Sequence, residues 1–346
     1  MGILSGVSDF FGLDIGSSAI RVVQLKGGGA VKSLVTYGAT PVDTKTALSE
    51  APADMAQLAA ILKDSFAKHR ITTANVAVGL PSEKVFSTTV DIDKLSPSEM
   101  EKSISYQADS ILPTPLNESK IDWAVLGESP KSKDKSEVLI SSVTNTFIEK
   151  RLDMLEGIGL NVIAFEPESL ALARSIIAPD ATAPVMVIDI GARSTDIIVV
   201  MAGAPRLTRA ITTGSDAIVK AAVQNLNIDQ KQAEQFVYKF GLVKDKLEGQ
   251  VYNAITPTVD ILASEIDKSI KFFEARYTGQ KIQSIIVTGG ASVLPEFPLY
   301  LANKFGLNVE IGNAWRNVAY ESSRQNELIA VSNHFGVAVG LAGRKE

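Results

Sequence analysis

The chain contains no cysteine. That excludes disulfides and thiolate-held metals, and it suits a reducing compartment. Histidine is nearly as scarce, with only His69 and His334, too few for a histidine-based metal centre. His69 falls in the charged run AKHR and reads as a solvated residue at a helix end. Basic blocks are missing as well, and the net charge of −5 argues against a nucleic-acid partner. No apolar run reaches the ~18 residues that a membrane span needs. Residues 1–11 lack the basic start and long apolar middle of a secretory leader. MGILSG also misses the myristoylation pattern, with Gly6 where Ser or Thr is required. The expectation is a soluble, cytoplasmic protein.

What is present is apolar and repeated. A chain of 346 residues with 45% apolar content can bury a large core divided between two or more lobes. The clearest stretch, VMVIDIGARSTDIIVV at 185–200, has a counterpart in GLDIGSSAIRVVQL at 12–25. Aligning Asp14 with Asp189, 175 residues apart, also aligns Ile15 with Ile190 and Gly16 with Gly191. In each copy an apolar strand ends in Asp, Gly and small hydroxyl residues follow, and a β-branched run begins. That is a hairpin with a polar tip.

The rest of the chain arranges itself around the two hairpins. The first is followed by a third strand at 31–42, a helix at 53–68 and a buried strand at 75–80, the start of a mixed α/β sheet. Residues 83–157 differ in texture, with a strand at 84–93, a helix opened by the capping box Ser96-Pro97-Ser98-Glu99, a hairpin over 121–143 and a helix at 147–156. This reads as a small α+β module inserted into the larger sheet. A strand at 161–165 and a helix from Pro167 to Ile177 complete the first lobe, and the proline-bounded linker PDATAP marks its end. The second lobe repeats the plan with a third strand at 206–212, helices at 215–227, 229–240 and 247–277, a strand at 284–288, a helix at 294–305 and a strand at 308–311. One amphipathic helix is expected over 327–342.

Asp-x-Gly alone is an ordinary turn. Duplicated at the head of each lobe, it becomes a candidate phosphate site: Gly16 and Gly191 let backbone approach an anion, Ser17, Ser18, Ser194 and Thr195 add hydroxyls, and Asp14 and Asp189 hold Mg2+ through water. Arg193 either faces phosphate or is solvated. A third glycine tip, IIVTGGAS at 285–292, suits a flat ligand lying on Gly289 and Gly290. Glu265 and Lys268 share one helix face; they form either a surface ion pair or a contact to ribose and base. Glu166, in FEPES, either orients a water or caps the following helix.

Together these residues resemble the actin-like ATPase superfamily. Within it the match is to the PilM family of type IV pilus assembly, related to the division protein FtsA. GLDIGSSAIRVVQL, DIDKLSPSEMEKSISYQADSILPTPLNESKIDWAVLG, GLNVIAFEPESLALAR, DIGARSTDIIVV, EIDKSIKFF and VTGGAS fall in that family's order. The resemblance implies an α/β, actin-like ATPase fold of two lobes, each a mixed sheet flanked by helices, with an inserted subdomain 1C. It implies the divisions 1–82 (lobe I, first part of 1A), 83–157 (1C), 158–184 (lobe I again), 185–214 (lobe II, first part of 2A), 215–280 (2B), 281–326 (second part of 2A) and 327–346 (helix returning to lobe I).

It also implies ATP or ADP with Mg2+ between the lobes. Asp14, Gly16, Ser17 and Ser18 would form the first phosphate loop, and Asp189, Gly191, Ala192, Ser194 and Thr195 the second. Gly289, Gly290 and Ala291 would form the adenosine motif, Glu265 and Lys268 would contact the nucleoside, and Glu166 would orient water in at most slow hydrolysis. Arg21 and Lys268 stand where Lys and Arg are expected in relatives. The implied partner is the cytoplasmic N-terminal peptide of a PilN-like inner-membrane protein. That would place the chain at the inner face of the cytoplasmic membrane through its partner, with self-association left open. Two alternatives are an FtsA-like filament protein, disfavoured because the chain ends at Glu346 without a membrane-binding helix, and a small-molecule kinase of the same superfamily.

Overall fold

The computed structural model describes residues 9–29 and 31–345. The acylation reading and most of the leader reading fall on residues 1–8, outside the described residues. Strands β1 (Phe11–Ile15), β2 (Ala19–Lys26) and β3 (Lys32–Pro41) form an antiparallel meander, followed by α1 (Thr44–Leu48), α2 (Pro52–Lys68) and β4 (Asn75–Leu80), which lies parallel to β1. Side chains alternate along a strand, so Phe11, Leu13 and Ile15 reach one core with Leu58 and Leu62 of α2. Gly12 and Asp14 are left for the opposite face. His69, at the end of α2, is half-buried rather than solvated: a Cβ on Gly38 of β3 would stand 1.9 Å from its Nδ1. The bare glycine lets the imidazole pack against β3.

The chain then builds a smaller layer from β5 (Phe86–Asp93), α3 (Pro97–Ile111), β6 (Ser119–Glu128) and β7 (Lys135–Thr144), a sheet of order β5-β7-β6. The expected cap is formed: Ser96 donates to Glu99 from its backbone N and its Oγ, at 3.0 and 2.6 Å. Ile92, Met100, Ile104, Val138 and Ile140 give this module its own core. Helix α4 (Asn145–Gly157) leads back to β8 (Asn161–Pro167), which pairs parallel with β4, and to α5 (Glu168–Ile176).

A second meander follows, β9 (Val185–Ile190), β10 (Thr195–Met201) and β11 (Ala204–Ile211), then α6 (Ser215–Leu226), α7 (Gln230–Phe240), α8 (Gln250–Arg276), β12 (Ser284–Gly289), α9 (Phe297–Phe305) and β13 (Asn308–Ile311). The order β11-β10-β9-β12-β13 repeats β3-β2-β1-β4-β8. The repeat reaches detail: the register shift in each meander follows the residue ten positions past the hairpin aspartate, Gln24 in one and Val199 in the other. We call the two sheets with their helices lobe I and lobe II. β14 (Val318–Ala319) pairs with β3 and so extends lobe I, although it lies in the segment 281–326 expected in lobe II.

The closing helix expected over 327–342 is broken. It becomes α10 (Gln325–Val331), a 3-10 turn at Ser332–His334, and α11 (Gly336–Ala342). The interruption has a polar cause: Asn333 accepts from Thr288 Oγ1 at 2.8 Å and donates to Gly289 O at 2.9 Å, which binds the turn to the end of β12. All seven residues of α11 are buried, so this segment is apolar all round rather than amphipathic. It lies with α5 between the two sheets, where Leu172, Ile176, Val337 and Leu341 meet Ala77 of lobe I and Val187, Ile198 and Ile286 of lobe II. The two helices touch backbone to backbone. A Cβ on Gly340 would stand 1.8 Å from Ala171 O.

Candidate functional site

The two hairpin tips are built alike. Gly16 N donates to Ala19 O at 3.1 Å, and Gly191 N to Ser194 O at 2.9 Å. Across the strands Asp14 stands opposite Arg21, and Asp189 opposite Asp196. Both tips open on a cavity of about 340 Å3 between the lobes. β12 closes its floor. Gly289 takes φ 81 there, and a Cβ would stand 2.4 Å from Ile190 O and 2.6 Å from Asp189 Oδ1, so only glycine fits.

Asp14, Gly16, Ser17, Ser18, Asp189, Gly191, Ala192, Ser194, Gly289 and Gly290 all line the cavity. Other expected residues do not. Thr195 is fully buried and donates to Thr213 O at 2.7 Å. Ala291 is buried below the glycine tip. Glu265 and Lys268 pair with each other and Glu265 pairs with Arg209, away from the cavity. The packing of α8 decides this: its apolar face, with Val259, Leu262, Ile266 and Phe273, is committed to the lobe II core, which turns Glu265 outward against β11.

Glu166 is buried too, but in a different place. Arg174 and Arg344 hold it, Arg174 Nη1 at 3.1 Å and Arg344 Nη1 at 3.2 Å, and it is absent from the cavity wall. The glutamate of this segment that does line the cavity is Glu168, the first residue of α5. Asp196 also lines the cavity, and its signal was in the duplication, since it occupies the position equivalent to Arg21. One face of α7 supplies Gln230, Glu234 and Tyr238, spaced four residues apart. A side chain on Gly290 would meet Tyr238 Oη at 3.6 Å and His334 Cε1 at 3.7 Å, so these residues frame a narrow slot.

The wall is rich in carboxylates. Asp14, Glu168, Asp189 and Asp196 gather there, with Arg21 Nη1 3.5 Å from Asp14 Oδ2. Burial, reinforced by Asp196 and Asp14, lifts Asp189 to about 7. Burial lifts Asp196 to about 6 against the pull of the Ser82 hydroxyl. Glu168 is raised well above the carboxylate range, first by burial and then by Asp14, Asp196 and Asp189. Glu168 Oε1 and Asp196 Oδ1 are buried with no hydrogen-bond partner, an expensive arrangement unless a cation or its waters complete it. Among the described residues no three such groups stand close enough to ligate one ion directly. The donor set therefore fits a hydrated divalent ion, and an anionic ligand would enter this acidic cleft with its charge already partly neutralised.

Two lobes of duplicated topology, with paired Asp-x-Gly hairpins facing a carboxylate-lined cleft, define an actin-like ATPase fold. The same fold is found in the ethanolamine utilization protein EutJ from Carboxydothermus hydrogenoformans (15% identity, TM-score 0.59, covering 96% of this chain and 88% of that one). MreB 5 of Spiroplasma citri, solved bound to AMPPNP, shares it too (15% identity, TM-score 0.53, 96% and 95%). Residues 12–346 match the profile described as type IV pilus assembly protein PilM, and the chain belongs to that family. A solved PilM-PilN type IV pilus biogenesis complex is similar over 96% of this chain and 97% of that one, at 25% identity and a TM-score of 0.80. No helix among the described residues is long and apolar enough to cross a membrane.

Proposed function

We propose that this protein is a cytoplasmic, nucleotide-binding adaptor of type IV pilus assembly, which docks the N-terminal cytoplasmic peptide of a PilN-like inner-membrane protein and lies at the membrane through it. Family membership and the similarity to a PilM-PilN complex support the adaptor role. The observation that carries the nucleotide part is the pair of equivalent hairpin tips facing one acidic cavity. In this reading ATP or ADP lies between the tips with its base toward Gly289, Gly290 and Tyr238. Asp14 and Asp189 hold Mg2+ through water, and the ion supplies charge neutralisation for the phosphates. The ribose contact passes from Glu265 and Lys268 to Glu234 of α7. Glu168 replaces Glu166 as the carboxylate able to orient a water, and turnover is slow at most. Residues 83–157 serve as subdomain 1C, and nucleotide shifts the angle between the lobes and with it the state of the docking groove.

Titration calorimetry with Mg·ATP tests the site. Asp14→Ala and Asp189→Ala are expected to weaken binding at least tenfold while both variants stay folded. Unchanged affinity in both would remove the assignment.

A further inference from the structure

The inserted module is joined by chain to lobe I, yet its most deeply buried polar contact is with lobe II. Glu137 of β7 is 2% exposed and accepts from three donors of the other lobe. These are Arg206 Nη1 on β11 at 3.0 Å, Arg276 Nη2 at the end of α8 at 2.8 Å, and Tyr277 Oη at 2.5 Å. Arg276 also grips Asp91 of β5 through both terminal nitrogens, at 3.2 and 2.9 Å. Arg206 Nη2 reaches the Leu126 carbonyl at 3.1 Å. One end of the module's sheet is thus held by two guanidiniums and a phenol.

The lobe I side is made differently. Its ion pairs, Glu50 with Lys84 and Lys150 at 3.0 and 3.2 Å, are partly exposed, and such pairs are weak. Helix α4 stays with lobe I, since the buried Arg151 Nη2 donates to Ala47 O at 2.7 Å, and the contact between β7 and that body is apolar, with Val143 against Phe147 and Leu80. Two-pronged charged hydrogen bonds fix direction, and removing one buried partner leaves a charge stranded; an apolar seam allows small sliding movements. The linking turn at 81–85 and the junction of β7 with α4 are where the chain can give.

We propose that this buried clamp makes β5, β6, β7 and α3 travel with lobe II, so that any change of angle between the lobes is expressed at the seam between the module and lobe I. The idea that nucleotide drives the change of angle rests on the function proposed above; the clamp names the part that carries it to the module. A rotation that begins at the hairpin tips would then alter the module's border with lobe I without any residue of the clamp touching the nucleotide. Coupling of this kind is reciprocal.

The native chain has no cysteine, so spin labels can be placed without background. Three double-cysteine variants use exposed positions: Lys63 on α2, Asp109 on α3 and Asn308 on β13. Pulsed electron resonance measures each distance with and without Mg·ATP. The 63–308 pair reads the lobe angle itself; if it stays fixed, the reading that nucleotide shifts the angle fails and the clamp is judged from its variant alone. If 63–308 shifts by a few ångströms, the clamp requires 109–63 to shift with it and 109–308 to stay. A moving 109–308 distance with a constant 109–63 distance overturns the proposal, because the module then rides on lobe I.

Glu137→Gln, placed in the 109–308 background, tests the clamp without nucleotide. The distance distribution should broaden while circular dichroism and cooperative melting stay native-like; an unchanged distribution overturns the proposal. Arg276→Lys, which keeps the charge and loses the two-pronged grip, serves the same purpose if Glu137→Gln does not fold.

Discussion

At the scale of single residues, the cleft is a set of carboxylates that the hairpins and α5 bring together and that burial disfavours in their charged form. Unfolded, Asp189 and Asp196 return to about 3.9; folded, they titrate near 7 and 6. Folding therefore takes up protons, and these two groups make the nucleotide-free protein less stable as pH rises from about 4 to about 7, with no further change above that. His69 and His334, both lowered mainly by burial, act in the opposite direction over an overlapping window. The test is accordingly a difference: between pH 5.5 and 7.5 the urea midpoint of the native protein should fall relative to that of Asp189→Asn, and parallel curves would refute the assignment. A second pair of variants separates the two glutamates. Glu168→Gln should leave nucleotide affinity within a few-fold and lower any phosphate release about 10²-fold or more. Glu166→Gln, which strands Arg174 and Arg344, should lower the melting temperature and leave the nucleotide site in place.

Among elements, α5 and α11 cross backbone to backbone at Gly340, where a Cβ would stand 1.8 Å from Ala171 O. Gly340→Ala drives a methyl into Ala171 O, and a loss of about 1–3 kcal/mol is expected, read as a lower denaturant midpoint with an unchanged slope. How much of this was legible depended on the element. Hairpin tips, the capped α3 and the inserted module were readable because period and cap chemistry are local. The break in the closing helix was not, since Asn333 is called out of helical geometry by Thr288 and Gly289, more than forty residues away. Glu265 stands away from the cavity for a similar reason: its i, i+3 partner is visible in the sequence, but the direction of that face is set by which side of α8 the lobe II core takes. The polar stripe Gln230, Glu234, Tyr238 has helical spacing, but nothing local marks it as facing a cavity.

For the whole molecule, the duplication was the most legible feature, and the structure extends it from two turns to two complete sheets with equivalent register shifts. What the sequence could not disclose is how the copies meet. The interlobe core joins Ala77 to Ile286, and the clamp joins Asp91 and Glu137 to Arg206 and Arg276; each is a product of folding alone. A ligand held by both lobes should stabilise both, so saturating Mg·ATP is expected to raise the melting temperature of the whole cooperative transition, and a chelator should remove most of the gain. The central claim is that the cleft and the partner-docking surface share one conformational equilibrium. It is tested most directly by measuring the affinity of the PilN-like partner's N-terminal peptide with and without saturating Mg·ATP. The account predicts a difference of about 5-fold or more, the lower end of ordinary allosteric coupling, that disappears in Asp189→Ala; the same affinity in both conditions would contradict it.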